Sequence, residues 1–377
     1  MTHLPPWRGL PVHHPGLSSL LCRDSSRHFF GQWQDASARV PTLHAGVRAP
    51  HLILALICIF ALASSALAAD LTVQKWQGNG IDYSGYRAGQ NPQLNKFPTQ
   101  AQILEDLKIL EKNWTLIRLY GGDQHSQDVL EVIRREKIGI KVLLGIWLDG
   151  RPGHEAESAQ QTATGISLAN QYKDIVLAVA VGNEILVTWS DHKLTEEKAL
   201  EYIAQVKKAV TCPVTIADDY LYWQKPDAKL ANAVDFIVMH TYPMWGHEDI
   251  DTAMPSTIKN YEAVRKAHPG KTIVLGEAGW ASYTVGEQNA PRAGDEKKQK
   301  RYYEDLTAWA KANDVTLFWF EAFDEPWKGS GTEGHWGLFS EGRKAKLAMQ
   351  TLYPELMPVG PTSPGYDSPA APEVKEK

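Results

Sequence analysis

From residue 71 onward, short apolar runs alternate with stretches whose apolar residues recur at the spacing of an α-helix. Eight runs are rich in Val, Ile and Leu, and they cover residues 80–83, 116–120, 140–145, 175–181, 213–217, 234–239, 272–275 and 315–320. Strands that are apolar at nearly every position are typical of a parallel sheet, because helices cover both of its faces. The pattern therefore predicts an α/β protein with eight parallel strands.

The stretches between the runs have the signals of amphipathic helices. Thr99 and Gln102 form a capping-box pattern ahead of an apolar helical face. Residues 295–311 are highly charged but keep their apolar side chains on one side. Eight strand–helix alternations without a break in composition favour one (β/α)8 TIM barrel over residues 70–353 rather than two domains.

The two ends of the chain differ from this central region. Residues 51–69 contain an uncharged apolar segment that ends in small residues, which is the pattern of a cleaved secretory signal. An uncleaved membrane anchor is the alternative, because the segment approaches spanning length. We expect residues 1–50 to be a disordered or mis-annotated extension and residues 354–377 to be a disordered Pro-rich tail. The protein is thus expected to be secreted, periplasmic or in the cell envelope, with membrane contact only if residues 52–69 are retained.

Charge and cysteine content exclude several classes of protein. Without residues 1–69, which hold five Arg and two Asp, the chain has 34 basic and 42 acidic residues. No basic cluster remains, which argues against nucleic-acid binding. Cys212 is the single cysteine left, so stability must come from a large core rather than from an internal disulfide. The G-x-G-x-x-G pattern at residues 329–334 opens no amphipathic helix, so we expect no dinucleotide site.

Two glutamates carry the candidate chemistry. Glu184 follows the fourth apolar run and Glu277 ends the seventh. In a (β/α)8 barrel the active site lies at the carboxyl ends of the strands, so both side chains are expected in one cleft. A pair of carboxylates is what cleavage of a glycosidic bond needs, with a separation of about 5–5.5 Å for retention and about 6.5–9.5 Å for inversion. Strands four and seven lie across the barrel mouth, which is compatible with the shorter distance.

The residues around these glutamates carry a family resemblance. Residues 181–184 (VGNE) and 276–280 (GEAGW) resemble the acid/base and nucleophile motifs of glycoside hydrolase family 17, the β-1,3-glucanases. Further matches are residues 118–120 (RLY), 240–243 (HTYP), 320–328 (FEAFDEPWK) and 337–339 (GLF). Ala278 and Ala281 stand where plant members have Thr and Pro, and the loops resemble those of bacterial members. These departures leave the mode of cleavage open.

The resemblance implies roles for matching residues. Glu184 is expected to be the acid/base and Glu277 the nucleophile, while Asn183 would bind the sugar 2-hydroxyl and Tyr242 would orient Glu277. Other residues expected to contact the sugar, because they match the family or lie at strand ends, are Tyr83, Arg118, Tyr120, Trp147, Trp280, Glu325 and Lys328. No metal or other cofactor is expected, and the protein is expected to be a monomer.

The sequence therefore predicts a retaining hydrolase that acts on a β-1,3-glucan. Two alternatives stay open: a glucanosyltransferase that uses the same two glutamates, and a non-catalytic carbohydrate-binding envelope protein. Four tryptophans near strand ends either stack on sugars or pack in the core, namely Trp147, Trp245, Trp280 and Trp327. Asp218 and Asp219 are expected to lie in a solvated turn.

Overall fold

The chain folds into a closed barrel of parallel strands that follow one another in chain order. A computed structural model describes residues 79–284 and 293–358. The strands are β1 (Asn79–Asp82), β2 (Trp114–Arg118), β3 (Lys141–Ile146), β4 (Val176–Asn183), β5 (Val214–Asp219), β6 (Ile237–His240), β7 (Ile273–Ala278) and β8 (Leu317–Trp319). Pairing of β8 with β1 closes the barrel. The predicted (β/α)8 TIM barrel is confirmed.

Helices connect the strands on the outside of the barrel. Those in the described residues are α1 (Gln100–Leu110), α2 (Gln124–Glu136), α3 (Glu155–Gln171), α4 (Glu196–Ala209), α5 (Tyr220–Trp223), α6 (Leu230–Ala233), α7 (Ile250–Ala267) and α8 (Glu296–Ala312). The predicted capping box starts α1, because the Thr99 hydroxyl accepts from the Gln102 amide and the Gln102 side chain accepts from the Thr99 amide. Side chains of Thr195 and Asp295 cap α4 and α8 in the same position.

Alternate strand residues fill the inside of the barrel. The inner cluster consists of Leu116, Leu143, Ala178, Ala180, Ala217, Phe236, Val238, Val274 and Phe318. Side chains along a strand alternate between faces, so the residue two positions after an inner residue also points inward. Arg118, Asp219 and His240 are such residues at the carboxyl ends of β2, β5 and β6. The barrel therefore carries a polar layer above its apolar interior.

Most of the predictions about the chain ends concern residues outside the described ranges. The expected extension (1–50), signal segment (51–69) and first residues of the barrel domain lie outside them. The tail does not begin at residue 354: Pro354–Leu356 form a 3-10 turn, and the carbonyl of Leu356 accepts from the amide of Ala345. Within the part of the chain that the structure describes, no helix has the length and apolar character needed to cross a membrane.

A buried ionic cluster ties the last described segment to the start of the barrel. The Asp106 carboxylate accepts from Arg343 Nε at 2.6 Å and Nη2 at 2.7 Å, from Arg87 Nη2 at 3.0 Å and from the Tyr83 hydroxyl at 3.1 Å. Tyr83 follows the inward Asp82 by one position and therefore faces the helices. Its ring is fully buried, so the expected contact of Tyr83 with substrate is wrong, and its role is structural.

Replacement of Asp106 by Ala should lower the free energy of unfolding by about 3–5 kcal/mol, because two arginines and a tyrosine lose their buried partner. Urea unfolding followed by circular dichroism measures the change. Glu105→Ala is the matched control, since Glu105 pairs with the same Arg87 from the exposed side of α1, and it should cost less than about 1 kcal/mol. Equal losses in the two variants would contradict this assignment.

Candidate active site

The two predicted glutamates meet at the barrel mouth. Glu184 follows β4 and has a positive φ of 48°, and Gly182 two residues earlier has φ 97°. Glu277 lies within β7 and is almost fully buried. A carboxylate oxygen of each glutamate and a ring nitrogen of His240 all lie within 4.8 Å of one another. A left-handed backbone is uncommon for glutamate, and strained backbone of this kind is enriched at active sites.

His240 links the two carboxylates. Its Nδ1 lies 3.0 Å from Glu184 Oε1 and 3.6 Å from Glu277 Oε2, and its ring is fully buried. The sequence analysis quoted His240 only as part of the 240–243 motif and gave it no role. Its position two residues after the inward Val238 is the signal that could have placed it in the site.

Glu277 is held by two further groups, Arg118 at the end of β2 and Tyr242 just after β6. Arg118 Nη1 donates to Glu277 Oε1 at 2.6 Å, and the Tyr242 hydroxyl donates to Oε2 at 2.5 Å. Burial alone would raise the pKa of Glu277, but the charges of His240 and Arg118 and the hydrogen bonds from Tyr242 and Arg118 outweigh it and lower the pKa. Glu277 is therefore kept as an anion, the form that can attack a carbon atom.

Arg118 also connects Glu277 to the acid/base motif. Its Nη2 donates to Asn183 Oδ1 at 2.5 Å, so the position of Asn183 depends on the same guanidinium. The Arg118 guanidinium lies over the Tyr120 ring, 4.5 Å from its centroid. The structure thus brings Arg118, Tyr120, Asn183 and Tyr242 to the carboxylates.

The segment after β8 holds a layer of two buried acids and one lysine. Lys328 Nζ lies 2.6 Å from Glu321 and 2.8 Å from Glu325, which binds the Trp327 indole N–H as well. Burial raises the pKa of Glu321 well above its ordinary value, although Lys328 lowers it. Glu325 is buried in this layer, so its expected direct contact with a sugar is not supported, and it acts on Lys328.

The tryptophans expected near the site divide into two groups. Trp280 is 0% exposed, its indole N–H donates to the Ala293 carbonyl at 3.0 Å, and it packs against Tyr302 of α8. The expected stacking of Trp280 on a sugar is therefore wrong, because its ring belongs to the core between barrel and helices. Trp147 is half-buried and packs on the His192 ring at 4.6 Å, and Trp245 is exposed beside Trp336.

Asp218 and Asp219 are buried, which corrects the expected solvated turn. The Asp218 carboxylate accepts from the amides of Leu186 and Asp219, both at 2.9 Å. Asp219 points into the barrel mouth and accepts from the Leu221 amide at 2.8 Å. Burial, together with the charges of Glu184 and Glu277, raises the pKa of Asp219 to about 8. Both residues belong to β5, whose end the sequence analysis placed two residues too early.

Glu184, His240 and Glu277 are also the group in the described residues whose spacing could suit a metal ion. Both oxygens of Glu277 already accept hydrogen bonds from Arg118 and Tyr242. A cation at this point would face the Arg118 guanidinium at short distance, which disfavours it. The expectation that no metal takes part stays a prediction.

A closed parallel barrel with two facing carboxylates at its strand ends defines a barrel glycoside hydrolase. The chain belongs to the family described as the BtgE/BtgC glycoside hydrolase domain, which matches residues 80–337.

Relatives of this chain have names that describe glucan 1,3-β-glucosidases. An Aspergillus fumigatus protein described as "Probable glucan endo-1,3-beta-glucosidase btgC" is 30% identical over 302 residues, which are 72% of this chain and 43% of that protein. The chain therefore spans less than half of the length of that relative. "Glucan 1,3-beta-glucosidase" of Arthroderma benhamiae is 27% identical over 308 residues, which are 75% of this chain and 96% of that protein.

Solved structures resemble the barrel as well. An endo-laminarinase from Formosa has 26% sequence identity and a TM-score of 0.68, covering 74% of this chain and 88% of that one. A glycoside hydrolase family 17 β-1,3-glucanosyltransferase from Rhizomucor miehei has 26% identity and a TM-score of 0.62, covering 73% of this chain and 97% of that one.

Proposed function

We propose that this domain is a retaining glycosidase of glycoside hydrolase family 17 that acts on β-1,3-glucans. The observation that carries the proposal is the pair Glu184 and Glu277, whose nearest oxygens lie within 4.8 Å of each other. This spacing is closer to the separation of about 5–5.5 Å between the carboxyl groups of retaining enzymes than to the about 6.5–9.5 Å of inverting ones. Names of the relatives and similar structures support the substrate class.

Each step of the proposed reaction can be assigned to a named residue. The Glu277 carboxylate attacks the anomeric carbon while Glu184 gives a proton to the leaving oxygen, which forms a glycosyl ester on Glu277. Glu184 then takes a proton from water, whose oxygen attacks the same carbon and releases Glu277. Arg118 and Tyr242 hold Glu277 in place, and Asn183, fixed by Arg118, is positioned to bind the 2-hydroxyl.

Transfer to a second sugar is the other candidate function, because it uses the same ester and the same two glutamates. The similar Rhizomucor miehei structure is named a glucanosyltransferase, and one of its variants is named as a complex with laminaritriose. Product sizes after incubation with a β-1,3-oligosaccharide separate the two reactions, since only transfer gives products longer than the substrate.

We also propose that the protein is a monomer and that residues 51–69 act as its export signal.

A trapping experiment tests the proposed chemistry. A 2-deoxy-2-fluoro-laminaribiosyl fluoride slows the breakdown of a glycosyl ester, so mass spectrometry of the intact protein and its peptides should find the sugar on Glu277. The Glu277→Gln variant is the control and should remain unlabelled. A protein that cleaves β-1,3-glucan but forms no adduct, or forms it on another residue, contradicts the assignment.

Tyr242→Phe should move the acidic limb of the kcat/KM profile to higher pH by about one unit. The Tyr242 hydroxyl stabilises the ionised form of Glu277, so its removal raises the pKa of Glu277. A higher pH is then needed before Glu277 is ionised and can act as the nucleophile. Tyr120→Phe is the matched control, because the Tyr120 hydroxyl has no hydrogen-bond partner among the described residues. An acidic limb that moves equally in both variants would count against this role of Tyr242.

A further inference from the structure

Trp189 lies in the segment between β4 and α4 and is half exposed, at 50% of its surface. Large apolar side chains that are comparably exposed in the described part of the chain are few. An indole left in solvent gains little from packing, and exposed aromatic rings of this kind are common where a ligand binds. The sequence analysis gave Trp189 no role.

The side chain of Trp189 contacts the proposed acid/base directly. Its indole N–H donates to Glu184 Oε2 in a long hydrogen bond of 3.4 Å, whereas Glu184 Oε1 faces His240 and the nucleophile. The acid/base meets the sugar on the leaving-group side of the bond that breaks. The indole therefore lies beside the sugar that leaves, not beside the sugar attached to Glu277.

The segment that carries Trp189 is fixed at both ends. The Leu186 amide donates to buried Asp218, and the Leu194 amide donates to the Ile185 carbonyl at 2.8 Å. Near its far end, His192 Nε2 lies 2.9 Å from the Asn183 carbonyl, and the His192 ring packs on Trp147. A ring on a fixed segment loses little entropy when a sugar stacks on it.

We propose that Trp189 forms the acceptor platform of the enzyme, a subsite on which the glucose next to the scissile bond stacks. The inference rests on the proposed function, because it needs the glycosyl ester on Glu277. In the transfer step, a hydroxyl of the stacked sugar loses its proton to Glu184, its oxygen bonds to the anomeric carbon, and the bond from that carbon to Glu277 breaks. Trp189 thus sets how well a sugar competes with water.

Reactivation of the trapped enzyme measures this competition. Wild type and variants are converted to the 2-fluoro adduct, freed of reagent and incubated with increasing laminaribiose, and the return of activity is followed. We expect laminaribiose to accelerate the return of wild-type activity. Trp189→Ala and Trp189→Leu should need about three- to tenfold more laminaribiose for half-maximal acceleration, and Trp189→Phe, which keeps a ring, should stay within about twofold of wild type.

The variants distinguish the possible outcomes. If wild type and Trp189→Ala respond alike to laminaribiose, the platform is overturned. A loss in Trp189→Phe as large as in Trp189→Ala also overturns it, because the N–H contact with Glu184 rather than the ring would then carry the effect. Adduct formation without any acceleration by laminaribiose overturns the acceptor site while the proposed hydrolysis stands, whereas failure to form the adduct rejects the proposed function itself. Thermal unfolding of each variant checks its fold.

Discussion

Glu277→Ala should lower the rate of β-1,3-glucan cleavage by at least about 10⁴-fold, because the variant lacks the carboxylate that forms the glycosyl ester. The Glu277 carboxylate is buried, ionised and held by Arg118 and Tyr242. Its loss removes the nucleophile and leaves the space of a carboxylate beside the anomeric carbon. The rate of release of reducing ends from laminarin measures the effect.

Added azide makes the same variant diagnostic of the stereochemical course. In Glu277→Ala a small anion can enter the vacated space and attack an activated β-glucosyl fluoride once, so the product should be an α-glucosyl azide. A single displacement inverts the anomeric carbon, whereas the wild-type reaction inverts it twice. A β-glucosyl azide from this variant would sink the assignment of Glu277 as nucleophile.

Glu321→Gln is the matched control for Glu277→Ala. Glu321 is a buried carboxyl group in the neighbouring layer, and burial raises its pKa well above the ordinary value. An amide of the same shape can still accept the hydrogen bond from Lys328, whose charge keeps Glu325 as a partner, so most of the activity should remain. Circular dichroism and thermal unfolding confirm that each variant is folded before rates are compared.

The sequence pattern predicted the barrel because every strand is covered on both faces and therefore apolar at nearly every position. The same alternation would also have placed Tyr83 correctly: Asp82 points inward, so its neighbour points to the helices. At Trp280 the rule fails for a physical reason. The pairing register shifts between β6 and β7 and again between β7 and β8 near Glu277, so side-chain direction past the shift no longer follows from counting.

The candidate site was predictable as far as strand ends fix it. Glu184 and Glu277 could be paired because strands four and seven face one cleft. Arg118, at the end of β2, and Tyr242, two residues after β6, could be placed through the family motifs that contain them. Trp189 could not, since its place depends on the path of a segment pinned by Asp218 and His192. Burial of Asp219 likewise depends on where β5 ends, which short apolar runs leave open by a few residues.

Glu184→Ala should slow cleavage of β-1,3-glucan by about 10²–10⁴-fold, the range that general acid catalysis contributes. With a dinitrophenyl laminaribioside as substrate, the rate of the first step should fall much less, because its leaving group departs without a proton. The glycosyl ester should then accumulate, since Glu184 is also needed to activate water. Intact-protein mass spectrometry during turnover should therefore show the sugar bound in this variant and not in wild type.

With azide, Glu184→Ala should give a product of the opposite anomeric configuration to that from Glu277→Ala. In Glu184→Ala the laminaribiosyl ester on Glu277 still forms, and azide, which needs no base, displaces Glu277 to give a β-laminaribiosyl azide after two inversions. Restoration of the rate by azide with a β product assigns Glu184 as acid/base, since the two variants then differ only in which displacement they lack. Equal losses with the dinitrophenyl donor and with laminarin, or an α product, would instead mean that proton transfer depends on another group at the barrel mouth. Asp219 is a buried acid there, and its pKa is raised to about 8.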